Sequence, residues 1–403
     1  MVERIREPSV EHALQDLKVL DLSMNLPGPY MTWLLASLGA EVVKVENPQG
    51  GDFGRSMGAS PEAASLSFDS VNRNKKSVAL NLKHPAAREI FLQMLDDHDV
   101  VVEGFRPGAM DKLGLGYEVL SARQPRLIQV SISGYGQSGP YRLRAGHDVN
   151  YLALCGVLAM GGSRADEPAI AGVQIADVAG GSLMALAALL AAVVHRQRTG
   201  RGQLVDVAMF DGALSMATKL LARAQAGADD PSPRGMTLNG RYPCYNVYRT
   251  SDGRFMSLGA LEPKFWQGFC QAVGRPDLLP EQFGGSAVIT RVQDIFASRT
   301  RDQWAEFFRD HDVCCEPVLS LEEAVQGPLV AARGMLAADQ HGREFLRSPF
   351  NLSGSPLSPE SPSPRLGQHT REILLHLGLD GRRIDELADG GALGVDSPPE
   401  EKN

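Results

Sequence analysis

The sequence predicts an α/β fold built around a mainly parallel sheet. Apolar, β-branched runs alternate with helical patterns through the first half of the chain, and short connections join them. Strands are predicted at 18–23, 41–46, 77–82, 100–103, 127–133 and 203–208. Helices are predicted at 28–38, 85–95, 178–195 and 212–224. Sheets of this kind bind ligands at the carboxyl ends of their strands, so the site is expected there.

Segments rich in Gly, Pro and Ser indicate the long connections and the boundary between domains. A long connection runs from Pro48 to Arg73, and connections of that length are usually functional or mobile. The polar stretch Ala226–Gly235 is the best boundary between domains. Beyond it the sequence predicts a hairpin at 242–258, helices at 265–273, 302–310 and 370–377, and a linker-like segment at 353–364.

Composition excludes several classes of function. The formal charge of the 403-residue chain is -8, whereas a general nucleic-acid binder needs a basic face. Five cysteines without a C-x-x-C pair suit a reducing cytosol, and the N-terminus lacks the apolar core of a signal peptide. The longest apolar run, Leu183–Val194, is too short to span a bilayer and is interpreted as a buried helix. We therefore expect a cytoplasmic protein with no membrane or nucleic-acid partner.

One glycine motif matches the sequence pattern of a dinucleotide-binding site. Gly134–Gly139 fits G-x-G-x-x-G and follows a strand, but Pro140 comes next, without the helix whose amides would bind a pyrophosphate. A loop that shapes some other pocket is the better interpretation. The nine histidines show no metal-ligand spacing, so no metal site is expected.

Three polar residues stand in small-residue or turn contexts: His147, Asp177 and Glu262. Taken one at a time, each has an ordinary structural explanation. Asp177 directly precedes a long apolar helix and could simply cap it. His147 could be a solvated loop histidine, and Glu262 precedes Pro263 at a helix start, where an acid favours the helix dipole. The alternative is that the three act together.

Taken together with these residues, eight segments resemble the family III CoA-transferases (the CaiB/BaiF superfamily). The segments are Leu26–Pro29, Gly39–Val45, Arg73–Ser77, Leu80–Lys83, Glu103–Gly108, Lys112–Gly116, Gly134–Pro140 and Thr199–Asp206. Within the family the chain is most similar to the α-methylacyl-CoA racemases, because Gly146–Tyr151 and Gly259–Pro263 fit the racemase pattern. The family's transferases carry a glycine-rich loop in place of Gly259–Pro263.

The resemblance implies an interlocked homodimer, with a large Rossmann-like α/β domain and a small α+β domain in each subunit. The large domain would take residues 1–225 and 331–390, the small domain 226–330, and a disordered tail 391–403. His147 and Asp177 would be the two catalytic bases, with Glu262 orienting His147. Residues expected to contact CoA or its thioester are Leu80, Lys83, Arg106, Lys112, Gly146, Asp148, Asn150 and Tyr151. CoA belongs to the substrate, and no cofactor is implied.

Two departures from the racemase pattern keep a second reaction open. Asn47 stands where racemases tend to carry an arginine, and the segment 48–73 is longer than theirs and transferase-like. In the transferases of this family the residue matching Asp177 is a nucleophile that carries the acyl group and then CoA. The sequence therefore predicts a racemase, with CoA transfer as the alternative.

Racemisation beside a thioester carbonyl needs one base on each face of the α-carbon. For Asp177 to share that work near neutral pH, an apolar site must raise its pKa. The glycines that follow Asp177 would let a ligand approach the helix closely. The amides at the start of that helix are expected to hold the enolate oxygen, where one donor is worth about 3 kcal/mol.

Overall fold

The computed structural model describes residues 11–58, 60–162 and 167–396. Its strands are β1 Lys18–Asp21, β2 Glu41–Glu46, β3 Lys76–Leu80, β4 Val100–Glu103, β5 Ile128–Ser133, β6 Gln203–Ala208, β7 Tyr245–Arg249, β8 Phe255–Gly259, β9 Cys315–Pro317, β10 Leu336–Ala338, β11 Glu344–Leu346 and β12 Leu393–Gly394. The six strands predicted for the first half are all present as β1 to β6.

Helices connect these strands along the chain. They are α1 Pro27–Ser37, α2 Pro61–Ser70, α3 Pro85–Leu95, α4 Ala109–Lys112, α5 Tyr117–Arg123, α6 Asp148–Leu154, α7 Val157–Met160, α8 Ala176–Thr199, α9 Met209–Ser215, α10 Thr218–Gln225, α11 Pro263–Ala272, α12 Ser286–Phe296, α13 Arg301–Phe308, α14 Leu321–Val325, α15 Pro328–Arg333, α16 Thr370–His376 and α17 Gly381–Asp389. The first part of α8, Ala176–Leu183, is wound as a π-helix. Short 3₁₀ turns lie at Phe53–Arg55 and Pro276–Glu281.

Within the described residues, a seven-stranded sheet has the order β12-β3-β2-β1-β4-β5-β6. Strands β1 to β6 pair in parallel, and β12 pairs antiparallel with β3. The prediction of an α/β fold with a mainly parallel sheet is therefore confirmed. Leaving out β12, the order 3-2-1-4-5-6 is that of the doubly wound nucleotide-binding fold, which reverses direction between β1 and β4. A crevice for ligand is expected at the carboxyl ends of these two strands.

The chain divides into two compact units. The first takes residues 1–155, 173–215 and 335–403, and the second takes 156–172 and 216–334. The second unit thus begins ten residues before the predicted 226, ends at 334 instead of 330, and includes a segment before α8 that the sequence did not indicate. It contains the three-stranded sheet β7-β8-β9 and an aromatic core around Trp266, Phe296 and Trp304.

Four expectations about local structure need correction. The connection at 48–73 contains helix α2, and the helix predicted at 212–224 is two helices, α9 and α10. The linker-like segment 353–364 packs within the first unit, since Ser363 N–H donates to Asp69 Oδ1. The tail predicted to be disordered from 391 instead pairs with β3 through β12, and Leu393 is buried. Residues 397–403 lie outside the described part of the chain.

Helix α8 is less buried than the sequence predicts. It is longer than the apolar run that signals it, and by length and composition alone it could cross a membrane. One face packs into the first unit through Ala185, Leu189 and Ala192. The opposite face leaves Leu183 and Val194 exposed, so the helix is only half covered by its own chain.

Candidate active site

His147 is placed by the turn that begins α6. Its backbone is extended at the N-cap position, and its N–H donates to Asn150 Oδ1 at 3.0 Å. Its side chain is exposed. Asn150 therefore has a structural role besides its expected contact with substrate, because its amide oxygen closes the first turn of α6 behind His147.

Tyr151 holds the loop that leads to His147. The Tyr151 hydroxyl donates to Gly146 O at 2.5 Å. The Tyr135 ring packs edge to face against the Tyr151 ring, with the two ring centroids 5.2 Å apart. A Cβ on Gly134 would lie 2.5 Å from the Tyr151 ring, and one on Gly146 would lie 2.8 Å from it. Both glycines are needed for this close packing. The motif at 134–139 thus shapes the site loop and opens no helix, as expected.

Asp148 connects α6 to the start of α8. Its carboxylate is buried, and Oδ1 accepts hydrogen bonds from Ala176 N at 2.6 Å and from Asp177 N at 3.0 Å. The expectation that these two amides hold an enolate oxygen is wrong, because a side chain of the protein already occupies them. The Asp148 side chain, expected to contact substrate, serves this internal contact.

Asp177 is half-buried in the first turn of α8, two residues beyond the N-cap position at Ile175. Burial raises the pKa of its carboxyl to about 6, the negative charge of Asp148 adds to the rise, and the nearby His147 opposes it. The pKa increase that the proposed chemistry requires is therefore found. The capping explanation for Asp177 fails, because Asp177 receives the cap instead of providing it.

The two glycines after Asp177 serve helix packing. A Cβ on Gly180 would lie 2.7 Å from Met209 O, and a Cβ on Gly212 would lie 2.1 Å from Gly180 O. Helices α8 and α9 therefore touch backbone to backbone at this point. A Cβ on Gly181 would similarly lie 2.9 Å from the Met209 side chain. The expectation that these glycines admit a ligand is wrong.

Glu262 belongs to the second unit, where it precedes Pro263 at the start of α11 without a side-chain cap. This placement at a helix start agrees with the sequence. Its expected pairing with His147 of the first unit stays a prediction.

A cleft of about 170 Å³ lies at the carboxyl ends of β1 to β4. Its walls are mostly apolar, and it is lined by Leu22, Ser23, Met24, Val45, Glu46, Asn47, Gly51, Asp52, Leu80, Asn81, Leu82, Lys83, Phe105 and Leu113. Leu80 and Lys83, both expected to contact CoA, are among these residues. Arg106 and Lys112 directly adjoin the lining residues Phe105 and Leu113 along the chain. The cleft occupies the place where the strand order reverses, as the fold predicts.

Three cations stand near this cleft. The side chains of Lys83, Arg106 and Lys112 are exposed. Over residues 11–58, 60–162 and 167–396, none of them forms an ion pair or a side-chain hydrogen bond. Unpaired Lys and Arg at the mouth of an apolar cleft suit a ligand with an apolar body and phosphate groups.

Sequence reasoning missed a buried charge network behind the cleft. Lys44 Nζ lies 2.8 Å from Asp52 Oδ2 and donates to Ser23 O at 2.8 Å, which joins the loops after β1 and β2. Lys75 Nζ lies 3.2 Å from Asp21 Oδ2. Burial would raise the pKa of Asp21, but Lys75 and Lys44 outweigh it and lower that pKa to about 2. The lysine inside the apolar strand at 41–46 was the signal that could have indicated it.

Comparison with known proteins places the chain among CoA enzymes. The model of CoA-transferase family III matches residues 14–370. The chain is 36% identical to the α-methylacyl-CoA racemase of Homo sapiens over 93% of this chain and 96% of that protein. It is 34% identical to a succinyl-CoA:mesaconate CoA-transferase of Haloarcula marismortui over 91% and 97%. A crystal structure of a CaiB/BaiF family protein from Brucella suis matches with a TM-score of 0.80 and 30% identity, covering 91% and 99% of the two chains.

Proposed function

Because the chain belongs to CoA-transferase family III, we propose that it inverts the α-carbon of 2-methylacyl-CoA thioesters by proton transfer through an enolate. The observation that carries this proposal is Asp177, a half-buried carboxyl whose pKa is about 6, with the imidazole of His147 close enough to influence it. A carboxyl that exchanges protons near neutral pH, with an imidazole beside it, is what a two-base racemase needs.

In the proposed reaction, one group removes the α-proton and the other returns a proton to the opposite face. When His147 is the base, Asp177 begins protonated and donates; in the reverse direction Asp177 begins ionised. Since the Asp177 pKa is about 6, both forms are well populated near neutrality. Glu262 is proposed to orient the His147 ring and to stabilise its protonated form. The chemistry requires no metal or redox cofactor.

The enolate oxygen needs donors other than the amides that Asp148 occupies. The amides of Asp148 and Val149, in the first turn of α6, have no acceptor among the described residues. They adjoin His147 along the chain, and amides at a helix start are oriented to stabilise negative charge. We assign the enolate oxygen to these two amides.

The nucleotide half of CoA is proposed to occupy the cleft at the carboxyl ends of β1 to β4. The apolar walls suit the adenine base, and Lys83, Arg106 and Lys112 suit its phosphates. The thioester would then extend toward the loop Gly146–Tyr151.

Removing two of these cations tests the nucleotide assignment. The double variant Lys83→Ala/Arg106→Ala is expected to raise KM for acyl-CoA by about tenfold or more, because each charge-assisted hydrogen bond contributes about 1.5–3 kcal/mol. The matched control Lys18→Ala removes a surface lysine at the amino end of β1, where it pairs with Asp97, and is expected to leave KM unchanged. With an acyl-pantetheine substrate, which lacks the nucleotide, wild type and double variant should behave alike; a persisting difference contradicts the assignment.

We further propose a cytoplasmic homodimer. The exposed apolar face of α8, which includes Leu183, Met184 and Val194, is a surface that a second copy of the chain would cover. The five free cysteines suit a reducing compartment. Sedimentation of the purified protein across a concentration series tests the assembly, and a monomer at micromolar concentration contradicts it.

CoA transfer is the second proposed function, and the identity of 34% to a succinyl-CoA:mesaconate CoA-transferase favours it. Here the Asp177 carboxylate attacks the acyl-CoA carbonyl, forming a mixed anhydride and releasing CoA thiolate. The thiolate then attacks the Asp177 acyl carbonyl, which leaves an Asp177 thioester and frees the first acid as its carboxylate. An acceptor carboxylate repeats the two steps in reverse.

One experiment separates the two functions. A single epimer of a 2-methylacyl-CoA is incubated with the protein in deuterium oxide, and the acyl chain is analysed for mass and configuration. Racemisation predicts one deuterium at the α-carbon together with loss of configurational purity. Undeuterated substrate of unchanged configuration, combined with an Asp177 thioester trapped by hydroxylamine, rejects the racemase in favour of the transferase.

A further inference from the structure

We propose that Asp148 is a positioning residue, whose buried carboxylate ties the start of α8 to α6 and so sets the spacing between the Asp177 carboxyl and the His147 imidazole. The inference rests on the proposed acid–base function of that pair and extends it to the side chain of Asp148, which contacts neither the Asp177 carboxyl nor the His147 imidazole.

The connection between the two groups is short. Asp148 is the residue after His147, so its backbone moves with the turn that carries the imidazole. Its side chain crosses to α8, where Oδ1 accepts from Ala176 N at 2.6 Å and from Asp177 N at 3.0 Å. The Asp148 carboxylate therefore holds the backbone of Asp177, while the Asp148 backbone directly follows that of His147.

The start of α8 needs such an anchor. The first amides of a helix have no partner within the helix, and here the first turns are wound as a π-helix, a rare geometry in proteins. A further side-chain hydrogen bond at this end comes from Ser182, whose hydroxyl donates to Pro27 O at 2.7 Å and to Asp177 O at 3.1 Å. That contact holds α8 against α1, and Asp148 holds it against α6.

The charge of Asp148 has a second consequence for the pair. The titratable groups facing Asp177 are His147, Asp148 and Tyr151, which lie on or next to α6. Asp211 on α9 and Asp206 on β6 belong to elements packed against α8 but do not shift the pKa of Asp177. The negative charge of Asp148 therefore opposes ionisation of Asp177 and keeps its pKa near the working range.

Two substitutions separate position from charge. Asp148→Asn keeps an oxygen acceptor for both amides but removes the charge. It is expected to retain most of kcat and to shift the acid limb of the rate profile to lower pH, by about half a unit or more. Asp148→Ala removes both contributions and is expected to lower kcat by about a hundredfold, as small misplacements of catalytic groups do, with KM unchanged because the cleft is intact.

Asp380 provides the matched control. It caps α17 by accepting from Arg383 N at 2.8 Å, in the first unit but on a different helix. Asp380→Asn keeps the acceptor and removes the charge, Asp380→Ala removes both, and neither should change kcat or the pH profile. If Asp148→Ala loses only thermal stability, as an ordinary cap would, or if Asp148→Asn leaves the acid limb unmoved, the proposal is overturned.

A measurement without substrate distinguishes failure of this inference from failure of the proposed function. The carboxyl band of Asp177 is titrated by infrared difference spectroscopy, with Asp177→Asn to assign it, in wild type and Asp148→Asn. A lower Asp177 pKa in the variant supports the role of Asp148 even if the wild type proves to be a transferase. An identical titration overturns that role whichever reaction the enzyme catalyses.

Discussion

Replacing Asp177 by asparagine is expected to abolish inversion of a 2-methylacyl-CoA, with a fall in rate of about a thousandfold, within the range for loss of a general acid–base group. The amide keeps the shape of the side chain and removes its proton exchange. His147 remains able to remove and return the α-proton on its own face. The variant should therefore still exchange that proton of one epimer with deuterium oxide, with retained configuration.

The companion variant His147→Ala should show the opposite preference, with slow exchange only for the epimer whose proton faces Asp177. Asp211→Asn, an exposed acid on the neighbouring α9, is the control and should retain wild-type inversion. Equal exchange of both epimers by either single variant would contradict a two-base mechanism.

Stability measurements distinguish loss of chemistry from loss of fold. The folded-state pKa of Asp177, about 6, is above the ordinary 3.8, so ionisation of this group opposes folding. Below about pH 4 the carboxyl is protonated in both states and contributes nothing; the penalty grows through pH 4–6 and is complete above it. Asp177→Asn should therefore melt at a higher temperature than wild type at pH 8, and this advantage should fade as the pH falls toward 4.

Replacing Lys44 by methionine is expected to destabilise the protein by about 3–5 kcal/mol, the usual cost of breaking a buried ion pair on one side. The Lys44 amine is fully buried, and Asp52 Oδ2, at 2.8 Å, has no other partner in the described part of the chain. Burial alone would lower the pKa of Lys44, but the carboxylates of Asp21, Asp52 and Glu46 outweigh it and raise that pKa. Removing this charge takes the counter-ion from Asp52, whereas Asp21 keeps Lys75 and Glu46 keeps Arg55.

Chemical denaturation of Lys44→Met measures this cost. The control is Lys76→Met on β3, a half-exposed lysine whose carboxylate partners lie 3.8 Å and 3.9 Å away, and it should change stability by less than about 0.5 kcal/mol. The double variant Lys44→Met/Asp52→Asn should recover part of the loss, because it removes the charge left alone. Equal stability of Lys44→Met and Lys76→Met would show that the buried pair contributes nothing.

Local pattern was enough for the elements and for part of the site. Strands β1 to β6 follow from apolar β-branched runs, since period and residue type are properties of a few neighbouring residues. The helix start at Asp177 and the turn at His147 were likewise signalled by adjacent small residues. The family resemblance predicts that Leu80 and Lys83 contact CoA, and both line the cleft.

The predictions that proved wrong concern residues whose partners in the fold are distant along the chain. The local pattern predicts that the glycines after Asp177 admit a ligand, but Gly180 lies in backbone contact with α9, some thirty residues later. The segment at 353–364 has the composition of a linker, yet its backbone N–H groups donate hydrogen bonds to the side chains of Asn74 and Asp69. The composition of a segment indicates which backbone conformations it can adopt. It carries no information about which distant residues the segment contacts in the fold.

The sequence by itself determined the α/β class, the order of the strands along the chain, and the two residues, His147 and Asp177, on which the proposed chemistry depends. Only the tertiary structure decided what surrounds them: Asp148 on the amides of α8, Lys44 against Asp52, and a cleft assembled from four loops. The physical reason is that propensity and periodicity act over one or two turns of chain, whereas burial, hydrogen bonding and charge act through space. The pKa of Asp177 depends on that second kind of interaction, and only the fold could reveal it.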